Sequence, residues 1–197
     1  MDPRFETSQA KLFVALSKHS IPGILIGAAA MEQYGYERAT LDLDVVVPRP
    51  EARVVRALVQ EGFVEISTGS GQASQVQDME TGVKVDILPQ GVHVYQNPVA
   101  LPAPPGVSTT PKYVSLKDLV RIKLGVLLGR GPVEGKYKSK ADVGHLIRIN
   151  SLSKDFLRGV EPRLIELYQG LWEEIHHNKT SSEISFDPAV SLDDYLE

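Results

Sequence analysis

Three aspartates stand where the surrounding pattern asks for buried β-strand. RATLDLDVVV, residues 38–47, carries Asp42 and Asp44, and VKVDILP, residues 83–89, carries Asp86. Side chains alternate along a strand, so Asp42 and Asp44 project from one face roughly 6.5–7 Å apart at Cα. Leu41, Leu43 and Val45 then take the opposite, buried face. The second stretch repeats the arrangement, with Val83, Val85 and Ile87 on one side and Lys84, Asp86 and Leu88 on the other. Aspartate is a poor strand former, and like charges on one face repel. An isolated Asp-x-Asp is most often a solvated surface pair. If the two strands lie side by side, however, three carboxylates gather, which is unfavourable unless cations occupy the site. Hard divalent cations with oxygen ligands, Mg²⁺ or Mn²⁺, suit such a cluster. Two ions held by shared carboxylates serve in-line phosphoryl or nucleotidyl transfer.

The elements that must position these residues follow from periodicity. Residues 6–18 place Ala10, Leu12, Phe13 and Leu16 at helical spacing. Pro22-Gly23 breaks that helix, residues 24–27 read as a short buried strand, and residues 29–35 as a helix entered through Gly27. After the Asp-x-Asp strand, Pro48 and Pro50 lead into an amphipathic helix over 51–62, then a strand over 63–67. Gly69 and Gly71 predict a hairpin turn, and residues 73–79 are ambiguous. Five prolines between residues 91 and 112 predict irregular, extended backbone. Beyond them Ser115 is a candidate N-cap for a helix reaching residue 130. GPVEGKYKSK (131–140) reads as a loop, residues 141–150 as a helix, and 151–178 as one or two more divided or opened by Pro162. The expected organisation is an αβ core over 1–92, a proline-rich connection over 93–114, a helical part over 115–179 and an acidic tail over 180–197.

Composition narrows the chemistry. The 197 residues have 42% hydrophobic and 23% charged content, ordinary for a globular chain, and a net charge of −4. Nucleic-acid contact would therefore need a local basic patch, and GKYKSK is the dense one. It is read either as a solvated loop or as a contact for an RNA or nucleotide backbone, with Arg121, Lys136 and Arg148 as possible extensions. With no cysteine, disulfides, zinc–thiolate sites and thiol nucleophiles are excluded. The polar opening MDPRFETSQAK and the lack of a long apolar run lead to the expectation of a cytoplasmic location without membrane attachment. His19, His93 and His145 are isolated, and His176-His177 reads as helix surface. Tyr168 and Trp172, at i and i+4, read as core.

IGAAAMEQYGYERATLDLDVVV resembles the active-site signature of the DNA polymerase β-type nucleotidyltransferase superfamily, in which a glycine-rich turn enters a helix and an Asp-x-Asp strand follows. More narrowly it resembles the bacterial nucleotidyltransferase-like group related to AbiE-type toxins, through Gly27, Ala30, Gly35, Arg38, Thr40, Asp42 and Asp44. Residues 115–146 are similar to that group's helix pair, with Lys123 and Asp142 at matching positions and Lys138 or Lys140 beside the latter. The resemblance implies an α+β fold, a nucleotidyltransferase-like mixed sheet flanked by helices with a C-terminal helical segment. It implies Mg²⁺ (or Mn²⁺) on Asp42, Asp44 and Asp86, and transfer of a nucleoside monophosphate from an NTP to a hydroxyl of RNA, a protein or a small molecule. Gly27 and Ala28 would offer backbone donors to the phosphates, Lys123, Lys138 and Lys140 would neutralise them, and Arg38 would brace the strand. Thr40 and Asp142 complete the implied nucleotide-binding set. A toxin-like role with an antitoxin partner is implied as well. Ala28 departs from the pattern, since a glycine or hydroxyl-bearing serine usually stands there. A catalytically degenerate nucleotide- or partner-binding protein is therefore the alternative.

Overall fold

The computed structural model describes residues 2–38, 40, 42–66 and 74–182, with side chains to residue 176. The expected hairpin at 69–71, Leu41, the side chain of His177 and the segment from 183 onward lie outside the described residues. Helix α1 (Pro3–Lys18) starts earlier than apolar periodicity suggests, because Asp2 caps it and Pro3 suits a first helical turn. Strand β1 (Ile24–Leu25), α2 (Gly27–Gln33) and β2 (Asp42–Val47) follow, then α3 (Glu51–Gln60) and β3 (Phe63–Ile66). The ambiguous stretch is β4 (Ser74–Asp78), and β5 (Lys84–Pro89) comes next. A short 3-10 turn over Val94–Gln96 precedes α4 (Leu116–Leu128), α5 (Val133–Ile149) and α6 (Pro162–Ser182).

The five strands form one mixed sheet in the order β1-β2-β5-β4-β3. β2 and β5 are its parallel neighbours, and the other pairings are antiparallel. A hydrophobic layer lies on each face. Leu43, Val45, Val47, Val85 and Ile87 pack with α1 and α3. Val46 and Leu88, on the opposite face, pack with α2 and the C-terminal helices. The carboxylates share that second face, at the strand ends where the apolar side chains give out. Asp78 ties α1 to the β4–β5 turn: it is fully buried and accepts from Ser8, Lys11, Thr81 and the Glu80 amide.

The expected loop over 131–140 is instead the first half of α5. Pro132 stands at its N-cap, and the buried positions Ser139, Asp142, Val143, Leu146 and Ile147 run at i, i+3, i+4, i+7 and i+8. Two of those five are polar, so a search for apolar periodicity loses the first turns. Ser115 does cap α4, its Oγ accepting from the Asp118 amide at 3.1 Å. Pro162 opens α6. Tyr168 is fully buried with its hydroxyl donating to the Ser153 carbonyl, and Trp172 donates to the Leu152 carbonyl. The histidines read as isolated have partners: His19 meets Glu61, His93 meets the Asn97 carbonyl, and His145 stacks on Tyr36. His176 stacks on Trp172. Among the described residues no helix is long and apolar enough to cross a membrane.

Candidate active site

Parallel pairing of β2 with β5 sets the site. Asp44 lies in register with Asp86, and Asp42 with Lys84. Parallel strands in register present the same face, so Asp44 and Asp86 look out together, with Asp42 two residues along β2. Burial pushes the Asp44 carboxyl up, and the charges of Asp42 and Asp86 add to it. Lys123 and Arg38 pull the other way, and the balance leaves Asp44 at about 6. Asp86 is also raised, first by burial and then by Asp42, against a hydrogen bond from Gln75 and the charge of Lys84. The three groups are therefore electrically one cluster.

Gly27 makes the close approach possible. It has a φ of +61°, and a Cβ built there would run into the Asp44 carboxylate, lying 3.1 Å from its Cγ. Only glycine combines that left-handed backbone with no side chain. Gly27, Asp44, Asp86, Gln75 and Lys123 line one cleft of about 370 Å³, whose remaining wall is largely apolar, with Leu88, Val99, Leu101, Leu119 and Ile122.

Lys123 enters this cleft already engaged. Its ammonium donates to Asp142 Oδ2 at 2.8 Å, and Arg38 Nη1 lies 3.8 Å from the same oxygen. Asp142 is 1% exposed, so two cations share one buried carboxylate. Arg38 Nε and Nη1 are buried without a hydrogen-bond partner among the described residues.

The other expected site residues are placed less centrally. Asp42 is outside the lining of the cleft and accepts from Thr40 Oγ1 at 2.9 Å. Ala28 packs in the hydrophobic layer under the C-terminal helices, 6% exposed, and borders a second cleft with Arg38 and Thr40. Lys138 is exposed on α5. Lys140 pairs with Glu174 of α6 at 2.9 Å and lines a different groove. Arg121 is held by Asp118 and Glu161.

Sequence reading missed Gln75, whose Nε2 donates to Asp86 Oδ1 at 2.6 Å. Its signal was faint: alternation in SQVQD, with only Val76 and Asp78 buried. The oxygen-only donor set has the chemistry for Mg²⁺ or Mn²⁺, and the raised Asp44 carboxyl is one that a cation would relieve. Yet among the described residues no three His, Asp or Glu side chains converge tightly enough to hold an ion. Thr40 donates to one oxygen of Asp42, and Gln75 to one oxygen of Asp86.

Neither a protein-family model nor a curated protein matches the chain. Solved structures do. The antibiotic-resistance factor ANT(2″)-Ia superposes with a TM-score of 0.54 at 13% identity, over 92% of this chain and 98% of its own. The chain has a nucleotidyltransferase-like α+β fold. JHP933 from Helicobacter pylori gives a TM-score of 0.41 at 11% identity, over 92% of this chain and 98% of its own. The Thermotoga maritima CCA-adding enzyme, complexed with tRNA, gives 0.39 at 9% identity, over 92% and 71%.

Proposed function

We propose that the chain is a nucleotidyltransferase that moves a nucleoside monophosphate from an NTP to an acceptor hydroxyl. The observation that carries this reading is the in-register pair Asp44 and Asp86 facing a cleft whose wall includes Lys123. Asp42, Asp44 and Asp86 would hold Mg²⁺ or Mn²⁺. The bound cations would neutralise the triphosphate and stabilise charge as the α-phosphate is displaced.

The chain's own groups then do the following. Asp86 orients the acceptor hydroxyl and takes its proton as the oxygen attacks the α-phosphorus. The bond to the bridging oxygen breaks, and pyrophosphate leaves. Lys123 offers positive charge to the β- and γ-phosphates, kept in place by Asp142. Arg38 supports Asp142 from beside the Asp-x-Asp strand. The apolar wall excludes water from the reacting groups. The acceptor is RNA, a protein or a small molecule, and a toxin-like role with an antitoxin partner belongs to the same proposal.

A second reading has its own support. Two carboxylates are engaged by neutral side chains, and Ala28 offers no hydroxyl, as in a nucleotidyltransferase fold that binds nucleotide without transfer. Incorporation of each labelled NTP, with Mg²⁺ or Mn²⁺ and a panel of tRNA, protein and small-molecule acceptors, decides between them. Incorporation abolished by Asp44→Ala supports the enzyme. Metal-dependent nucleotide binding without incorporation supports the second reading, and absence of both overturns each.

A further inference from the structure

We infer that the acceptor is a small alcohol with an apolar body, seated on the apolar wall of the carboxylate cleft beside Tyr95; this deepens the nucleotidyltransferase reading and rests on it. The shared face of β2 and β5 changes character within two residues. Asp44 and Asp86 are followed by Val46 and Leu88, also in register, about 6.5–7 Å further along. From Leu88 the wall continues over Val99 and Leu101 of the proline-rich connection and Leu119 and Ile122 of α4. Backbone bonds from the Gly91 amide to the Leu101 carbonyl and from the Leu101 amide to the Val92 carbonyl hold that connection in place. Val99 and Leu101 are buried there, with Ala100 exposed between them. Asn97 is the amide side chain beside them, 4% exposed, and both its ends are engaged. Its Nδ2 donates to the Ile122 carbonyl at 3.0 Å, and its Oδ1 accepts from the Val99 amide at 2.8 Å. These residues leave no free amide or charge with which to recognise a sugar or the edge of a base.

Charge and size point the same way. A nucleic-acid strand needs a positively charged track, but among the described residues the charged side chains lining the cleft are Asp44, Asp86 and Lys123, and Lys123 is already paired with Asp142. A volume of about 370 Å³ suits a small molecule. An alcohol whose hydroxyl reaches Asp86 lays its apolar body on Leu88 and the wall beyond. Its oxygen bonds the α-phosphorus, pyrophosphate leaves with the electrons of the broken bond, and the proton passes to Asp86. Tyr95 supplies a second, independent observation. It lines the cleft yet is 49% exposed. Tyr95 and Gln96 have φ of +51° and +57°, two consecutive non-glycine residues in the left-handed region, which is uncommon and costly. The turn is clamped: the Arg130 amide donates to the Tyr95 carbonyl at 2.7 Å, and a Cβ at Gly129 would lie 2.9 Å from the same oxygen. Strain of this kind gathers at ligand sites, and here it presents an aromatic side chain to the cleft.

The test is calorimetric titration of the full chain with linear primary alcohols from propanol to octanol, followed by incorporation of labelled NTP with the same alcohols, glycerol and tRNA as acceptors. Affinity should rise about 3- to 4-fold per added methylene, the scale of apolar burial, and glycerol should not bind. Tyr95→Ala, an exposed position, should weaken octanol binding about 5- to 10-fold. Val126→Trp, at a half-buried position of the cleft lining, should block octanol while the melting temperature holds. Label should pass to octanol in preference to glycerol and tRNA. Equal affinity along the series, or octanol binding untouched by both variants, overturns the inference. Displacement of octanol by adenosine, guanosine, cytidine or uridine gives the wall to the base instead and also overturns it. Label passing to tRNA but to no alcohol overturns the inference and leaves the nucleotidyltransferase reading standing. Alcohol binding that depends on chain length, with no label passed to any acceptor, overturns that reading and the acceptor role with it.

Discussion

Replacing Asp44 by asparagine keeps the side chain's size and removes one charge from the cluster with Asp42 and Asp86. The folded carboxyl sits at about 6 against an ordinary 3.8, so between those values the native state holds a proton that the unfolded chain has released. Stability then falls as pH rises through that window and levels off above about 6. The whole change is worth at most about 3 kcal/mol. Coupling to Asp42 and Asp86 and partial exposure reduce it to about 2 kcal/mol. The pull of Lys123 and Arg38 is already inside the balance. Asp44→Asn, melted in EDTA at pH 7.5, should therefore be more stable than wild type by about 2 kcal/mol, a rise of roughly 4–8 °C in Tm. The difference between the two proteins should shrink to nothing near pH 4. Adding Mn²⁺ should stabilise wild type and leave the variant unmoved, because a ligand stabilises only the state that binds it. A variant that melts below wild type at pH 7.5, or a difference that stays flat from pH 4 to 7, would refute the carboxylate cluster.

Asp142→Ala should cost about 3 kcal/mol in urea unfolding, because Lys123 and Arg38 are left without their counter-charge. Joining it to Lys123→Met should recover part of that loss, and full additivity would show that the pair is not coupled. Gly27→Ala should destabilise by about 1–2 kcal/mol from its left-handed backbone and abolish Mn²⁺ binding by displacing the Asp44 carboxylate; unchanged Mn²⁺ affinity would count against the site. Ser115→Ala removes a cap and should cost about 1 kcal/mol, read as a shifted urea midpoint at constant slope. Asp78 has the opposite sign to Asp44: burial raises it, but bonds from Lys11, Glu80, Ser8 and Thr81 outweigh that and hold it below 3.8. Its contribution is present above about pH 4 and lost on further acidification, so Asp78→Asn should flatten the acid limb of a stability curve.

How much of this was legible in the chain depends on which physical signal carried it. Period-two alternation in DLDVVV and VKVDIL placed Asp42, Asp44 and Asp86 on a face opposite Leu43, Val45, Val85 and Ile87, and the sheet has that division. Local chemistry likewise offered Ser115 as a cap and Pro162 as a divider or first-turn residue, and the structure has Ser115 capping α4 and Pro162 opening α6. Periodicity says which way a side chain points from its own strand, but not which strand lies alongside. The parallel register of β2 with β5, which couples Asp44 to Asp86, joins segments some forty residues apart and was decided only in three dimensions. The start of α5 was lost because its buried face carries Ser139 and Asp142 rather than apolar residues, so a hydrophobic pattern had nothing to detect. Tertiary packing also separated lysines that look alike in sequence: Lys123 meets Asp142 beside the cleft, while Lys140 turns to Glu174 of α6. Sequence alone determined the types and faces of the reactive groups, because those follow from backbone geometry within one element. Packing between elements determined which groups share a cleft, which are already bonded, and which, like Arg38 Nε, are buried without a hydrogen-bond partner among the described residues.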